Sequence, residues 1–128
     1  MLFRSTTLLH EAARWGSVEA IRVLLEHGAD VNARKKDDTT PLHQAARWWT
    51  VEVIHVLLEH GADVNARMND DTTPLHQVAR WGTVEAICVL LEHGANVGAE
   101  DGRGRTASQV VSERERDAQN MVLGESML

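Results

Sequence analysis

The chain has 128 residues and a formal net charge of −6, from 19 acidic and 13 basic side chains. This acidic balance argues against a general nucleic-acid binder, because neutralisation of phosphates supplies most of that affinity. No apolar run is long enough for a membrane-spanning helix or a signal peptide. The length suits one domain, which we expect to span 1–128. The single Cys88 excludes an internal disulfide and suits a reducing compartment, so we expect the protein in the cytoplasm or nucleus.

Three copies of one pattern follow each other along the chain, over about 7–38, 39–71 and 72–104. Residues 34–66 and 67–99 agree at about three quarters of their positions, which is far beyond chance. One constant spacing, about 33 residues, relates three histidines and three glycines, namely His10, His43, His76, Gly28, Gly61 and Gly94. The chain is therefore an internal repeat array.

Each copy predicts two helices and a projecting loop. In the second copy Thr40 is typical of a helix N-cap, and Pro41 is typical of the first helical position. From Val51 onward the apolar residues recur at helical spacing, and Gly61 stands where a helix ends in the left-handed conformation. The residues after Gly61 predict an extended loop that ends in a tight turn.

The segments TPLHQAA (40–46) and LLEHGADVNA (57–66) resemble ankyrin repeats. The resemblance implies an all-α solenoid of helix–turn–helix units with β-turn fingers, in which the first helices and the fingers line a concave surface. It also implies that each motif histidine bonds the motif threonine, here Thr40 and Thr73. Asp38 and Asp71 stand where the family usually has a fingertip glycine, and Asp tolerates that geometry better than most residues.

The two ends of the array depart from the pattern. Residues 105–128 look like a degenerate fourth copy that caps the array, because Thr106 is kept while the Leu and His of the motif are lost. We expect a second cap helix in DAQNMVLG, although Asn120 and Gly124 replace apolar residues there. The first copy has Leu8 in place of the proline, and we expect residues 1–5 to cover that end unless the array extends beyond it.

The recurring polar residues predict no catalytic site, metal or cofactor. Histidines in separate stacked repeats cannot converge on one ion. The segment HEAAR lacks the second histidine of a zinc-protease motif, and no buried strand precedes the glycine-rich GRGRTA. We expect Cys88 to be exposed and unreactive, and His27, His60 and His93 to contact the carbonyl ends of their helices.

Asn32 and Asn65 allow two interpretations. The resemblance implies that such finger asparagines are possible substrates of asparaginyl hydroxylases. The alternative is that each side chain bonds the backbone of its own loop.

Trp15, Trp48 and Trp81 lie near the ends of the first helices, and an arginine precedes each one. The resemblance implies a ladder of Arg–Trp pairs along the groove, about 10 Å apart. Trp and Arg are enriched at binding hot spots, but recent duplication or coverage of helix ends would also explain the recurrence. The candidate partner-binding residues are Arg14, Trp15, Asp37, Thr39, Arg47, Trp48, Trp49, Asp70, Thr72, Arg80, Trp81 and Arg103.

Trp49 is an anomaly, because it replaces the glycine found at Gly16 and Gly82. We expect a left-handed turn at this position, where a bulky residue costs about 1 kcal/mol or more. The turn of the second copy is then either rebuilt or strained in order to widen the aromatic patch.

These observations predict a non-enzymatic protein-interaction module. Acidic side chains on the second helices are expected to face outward, leaving a groove with a basic, aromatic floor that suits an acidic and apolar partner segment. The alternatives are a tethering segment of a larger protein, a stable repeat scaffold without a natural partner, and a hydroxylase substrate. We expect a monomer whose exposed tryptophans allow weak self-association.

Overall fold

The computed structural model describes residues 7–48 and 51–126, with side chains described up to residue 120. Within these ranges the chain forms helices joined by turns and loops, without strands. The helices are α1 (Leu8–Trp15), α2 (Val18–Glu26), α3 (Pro41–Arg47), α4 (Val51–Glu59), α5 (Pro74–Trp81), α6 (Val84–Glu92) and α7 (Ala107–Ser126).

The helices form two layers. The first helices α1, α3 and α5 pack side by side, and α7 continues this layer beyond α5. The second helices α2, α4 and α6 form the other layer, each against the first helix of its own pair. The predicted all-α array of helix–turn–helix units is therefore confirmed in the described residues.

A threonine–histidine pair starts each first helix. The hydroxyl of Thr40 accepts the backbone N–H of His43, while Nδ1 of His43 accepts the backbone N–H of Thr40 at 3.2 Å. Thr73 and His76 make the same pair, so the implied histidine–threonine bond is confirmed. Thr7 forms this pair with the histidine of the first copy as well.

The other ring nitrogen of each histidine joins neighbouring repeats. Nε2 of His10 lies 2.7 Å from the carbonyl oxygen of Thr39, and Nε2 of His43 lies 2.9 Å from that of Thr72. His76 contacts the carbonyl of Arg105 in the same way. Because a carbonyl only accepts, each Nε2 carries a proton and donates it to that oxygen. These inter-repeat bonds were not part of the sequence prediction.

The core is aliphatic and contains no tryptophan among the described residues. Ala13, Ala46 and Ala79 are at most 1% exposed, so small side chains let the first helices approach closely. Ile54 and Leu57 of α4 are fully buried on the inner side of the second layer. The tryptophans therefore lie outside the packed core.

The fingers are β-turns that contact each other. The N–H of Asp38 donates to the carbonyl of Lys35 at 2.9 Å, closing the first turn. Asp38 and Asp71 have φ of 68° and 65°, which confirms the left-handed fingertip expected for them. The N–H of Gly102 donates to the carbonyl of Asp70 at 2.8 Å and joins successive fingertips.

The prediction of a second cap helix is wrong, because α7 runs without interruption from Ala107 to Ser126. The residue one period after Gly82 is Glu115, so the cap lacks the glycine that separates the helices of the third pair. Its flanking residues Arg114 and Arg116 are also good helix formers, which favours one continuous helix.

The prediction of left-handed glycines between paired helices is correct for one position and wrong for another. Gly16 has φ 72° and ψ 23°, whereas Gly82 is extended with φ −99° and ψ −162°. A Cβ at Gly82 would lie 2.9 Å from the carbonyl oxygen of Val78, so crowding excludes a side chain there. Trp49 and residues 1–5, for which we made predictions, lie outside the described residues.

Candidate functional site

The tryptophans of the three first helices are open to solvent. Trp15 is 75% exposed, Trp48 40% and Trp81 38%, and each lies at the C-terminal end of its helix. These values exclude a role as sealed core residues. They leave one edge or face of each ring available for contact.

The arginines and tryptophans alternate in one stack. The guanidinium carbon of Arg14 lies 5.6 Å from the ring centre of Trp15 and 5.0 Å from that of Trp48. Arg47 lies 5.4 Å from Trp48 and 4.8 Å from Trp81. We call the six residues that take part in these contacts the Arg–Trp stack; its last member, Arg80, lies 5.3 Å from Trp81.

The spacing of the helices explains the alternation. Packed helices lie about 10 Å apart, so rings on successive first helices leave room for one guanidinium between them. Each cation over an exposed ring contributes about 0.5–1 kcal/mol. The sequence predicted the ladder of pairs but not the insertion of Arg14 and Arg47 between rings of two different repeats.

The aspartates at the fingertips also have structural roles. Asp37 accepts the backbone N–H of Thr39 at 3.1 Å, and Asp70 accepts that of Thr72 at 3.1 Å. Partial burial acts to raise the pKa of Asp37, but the hydrogen bonds from Thr39 outweigh it and lower that pKa. Thr39 itself is only 7% exposed, so its side chain adds little to an outer surface.

A cavity of about 650 Å³ lies where the fingers, α5 and α7 meet. It brings together four of the predicted site residues, Asp70, Thr72, Arg80 and Arg103. The remaining lining residues are Asp101, Gly102, Arg105, Glu113 and Asp117.

The walls of this cavity contain a charge network that the sequence did not predict. Arg105 contacts the carboxylate of Asp101 at 3.0 Å and that of Glu113 at 2.7 Å. Partial burial acts to raise the pKa of Asp101, but hydrogen bonds from Arg105 and Arg103 outweigh it and lower that pKa. The contact between Arg105 and Asp101 is local to the last finger, whereas the contact with Glu113 joins that finger to α7.

Two family models described as ankyrin repeats match the sequence, a three-copy form over residues 3–68 and a many-copy form over residues 50–91. The first match covers just over half of the chain. The chain belongs to the ankyrin repeat family. Ankyrin repeats are generally protein–protein interaction modules, and the family is typically non-enzymatic. A comparison with curated proteins finds no match.

The finger asparagines of these ankyrin repeats bond the next repeat and not their own loop, so the alternative of a bond within the loop is wrong. The amide nitrogen of Asn32 donates to the carbonyl of Gly61 at 3.1 Å, and its oxygen accepts the N–H of Asp63 at 2.8 Å. Asn65 makes the equivalent pair of bonds with Gly94 and Asn96. Hydroxylation of either residue stays a prediction.

The arginines at the finger bases tie ankyrin repeats together. Arg34 donates to the carbonyl oxygen of Arg67 at 2.9 Å, and Arg67 donates to that of Glu100 at 3.2 Å. Each bond spans 33 residues, which is one repeat. Unlike the arginines of the Arg–Trp stack, these cations are held by the backbone.

A histidine directly follows each second helix of the ankyrin array, and one cysteine lies on α6. The sequence predicted none of these residues to be catalytic. His27, His60 and His93 contact the carbonyl of the residue four positions earlier, as predicted, and Cys88 is exposed. The described part of the chain has no group of three His, Cys, Asp or Glu that would hold a metal ion. Nor does that part contain a helix long and apolar enough to cross a membrane.

Proposed function

We propose that this chain binds a segment of a partner protein across the Arg–Trp stack and the adjoining fingers. The single observation that carries the proposal is the continuous, solvent-exposed alternation of Arg and Trp over three repeats. Exposed tryptophans of this kind are energetically costly in water and are enriched at binding hot spots.

The stack favours a partner segment with acidic and apolar side chains. The described residues give Arg14 and Arg47 no hydrogen bond or ion pair, so their N–H edges remain available to carboxylates. Contact with two rings restricts the side chains of Arg14 and Arg47 before binding, which lowers the entropy lost on contact. The ring edges between the arginines supply apolar area.

A peptide display library supplies ligands for the test. Peptides selected on the wild-type protein are synthesised, and their Kd values are measured by calorimetry against Trp48→Ala and Trp81→Ala. We expect a loss of at least tenfold, since truncation of a hot-spot tryptophan costs about 2 kcal/mol. Val84→Ala is the matched control, because Val84 is 76% exposed on the outer helix α6.

The folded state of each variant is checked by circular dichroism before binding is compared. Peptides that bind all four proteins equally well would refute the Arg–Trp stack as the binding surface. Sedimentation of the wild-type protein at several concentrations tests the accompanying proposal of a monomer with weak self-association.

A further inference from the structure

The alternation of the Arg–Trp stack stops at its C-terminal end. Arg14 and Arg47 each lie over two rings, one from their own repeat and one from the next. Arg80 lies over one ring in the described part of the chain, that of Trp81. The last guanidinium therefore lacks the second ring that its counterparts have.

The cap explains why this ring is missing. One period after Trp81 the sequence has Arg114, not a fourth tryptophan. The side chain of Arg114 is used elsewhere, because Nη1 donates to the carbonyl oxygens of Gly82 at 2.9 Å and Ala79 at 3.4 Å. The cap thus closes the end of α5 without covering Arg80.

Arg80 instead lines the cavity of about 650 Å³ described above. A Trp or Tyr side chain occupies much less than this volume, so the cavity has room for one ring and its neighbouring backbone. The opposite charges of Arg105, Asp101 and Glu113 already satisfy each other.

The remaining charges in the cavity favour an aromatic ring with a hydrogen-bond donor. Four carboxylates and three guanidinium groups line the walls, so a carboxylate from a partner meets net repulsion there. Asp70 and Asp117 can accept a hydrogen bond from an indole N–H or a phenol O–H. An aliphatic side chain offers neither a π face to Arg80 nor a donor to these carboxylates.

We infer that this cavity binds a Trp or Tyr side chain of the partner segment, whose ring stacks on Arg80 and restores the alternation. The inference rests on the proposed function and adds a specific requirement to it. Among carboxylate, aliphatic and aromatic side chains, only an indole or a phenol offers both a π face to Arg80 and a hydrogen-bond donor to Asp70 or Asp117.

Titration with small probes tests the cavity directly. N-acetyltryptophanamide is added to ¹⁵N-labelled protein while the Nε–H signal of Arg80 is followed by NMR, and N-acetylleucinamide is the apolar control probe. We expect a saturable ring-current shift with the first probe and none with the second. Equal responses to both probes would overturn the inference, as would a tryptophan response confined to other parts of the protein.

The matched variants are Arg80→Lys, which keeps the charge but removes the planar guanidinium, and Arg22→Lys on the outer helix α2. Both arginines are exposed, so neither change disturbs the core. We expect Arg80→Lys to weaken probe binding at least fivefold, measured from backbone shifts around the cavity, and Arg22→Lys to leave it unchanged. Unchanged binding to Arg80→Lys would contradict the proposed stacking.

The peptides from the display selection separate the two proposals. The inference expects Trp or Tyr to be enriched at one peptide position and the affinity of those peptides to fall at least fivefold with Arg80→Lys. Peptides that depend on Trp48 but ignore Arg80→Lys would overturn this inference and leave the proposed function standing. Absence of peptides that depend on Trp48 or Trp81 would refute the proposed function, while the probe titration would still show whether the cavity binds an aromatic ring.

Discussion

At the scale of single residues, the exposure of a side chain and its contacts must be considered together. Trp48 is 40% exposed, yet its ring lies between Arg14 and Arg47. The neighbouring cations limit the orientation of the ring while leaving its edge in water. A large apolar side chain is thereby held ready for contact at a lower cost in conformational entropy.

His43 shows how one buried residue makes stability depend on pH. Burial lowers the pKa of His43 from 6.5 to about 4, although its bond to the Thr72 carbonyl acts in the opposite direction. A proton on Nδ1 would also remove the acceptor for the N–H of Thr40. The folded state therefore disfavours the charged imidazole.

We predict that His43 lowers the free energy of unfolding as the pH falls from 6.5 to about 4. Above this range the imidazole is neutral in both states, whereas within it only the unfolded state binds the proton. The total loss is about 3 kcal/mol. Urea unfolding at several pH values, for wild type and His43→Gln, measures the effect; equal slopes against pH would contradict it.

At the scale of elements, successive fingertips are joined by backbone bonds, and the bond from Gly102 to Asp70 involves a particularly close approach. A Cβ at Gly102 would lie 2.8 Å from the carbonyl oxygen of Asp70, which is also the acceptor of the Gly102 N–H. The crowding at Gly102 comes from this contact and not from a positive φ. In the finger before it, Asn69 carries a side chain, and its N–H makes the equivalent bond to the carbonyl of Asp37 at a longer 3.0 Å.

We predict that Gly102→Ala destabilises the protein by about 1 kcal/mol, because the added Cβ forces the fingertips apart and weakens this bond. Gly98→Ala is the matched control, since its Cβ would meet only Asn96 Oδ1 at an ordinary 3.5 Å. Urea unfolding of both variants compares the two costs. Similar values for both would show that the fingertip contact contributes little.

The cap differs most from the sequence prediction, because α7 is one helix where two were expected. A distance measurement along α7 tests this continuity directly. Spin labels are attached at Ser108→Cys and Glu125→Cys, near the two ends of the helix, in a Cys88→Ala background. One continuous helix places the two backbone positions about 26 Å apart, at about 1.5 Å per residue. A pulsed dipolar measurement near that value, allowing for linker length, is expected. A much shorter distance, close to the separation of about 10 Å between two packed helices, would instead support the helix pair predicted from the sequence.

At the scale of the whole molecule, three systems of bonds recur along the array. The histidine bond links each of the three copies to the next unit, whereas the asparagine and arginine bonds are made by the first two copies, because Gly98 and Glu100 stand at those positions in the third. Buried histidines join the starts of the first helices, asparagines join the finger bases, and arginines join the finger backbones. Each system connects only neighbouring repeats, which is typical of a solenoid. The Arg–Trp stack is a fourth such system, and it differs from the other three because it is built on exposed indole rings.

Much of this molecule was predictable because the relevant signals are local. The constant period, the Thr–Pro helix starts and the small residues of the first helices indicated the array. The periodic placement also located Trp15, Trp48 and Trp81 at equivalent helix ends. Such signals depend on neighbours within a few residues and on copies of the same segment.

The repeat, the helix pairs and the line of tryptophans could therefore be predicted from the amino-acid sequence alone. The insertion of Arg14 and Arg47 between rings of adjacent repeats, the continuity of α7 and the extended Gly82 became visible only in the folded chain. The physical reason is that a side chain's direction and a turn's conformation depend on packing against residues about one repeat away. The residues of a single copy do not determine how that copy packs against the next one.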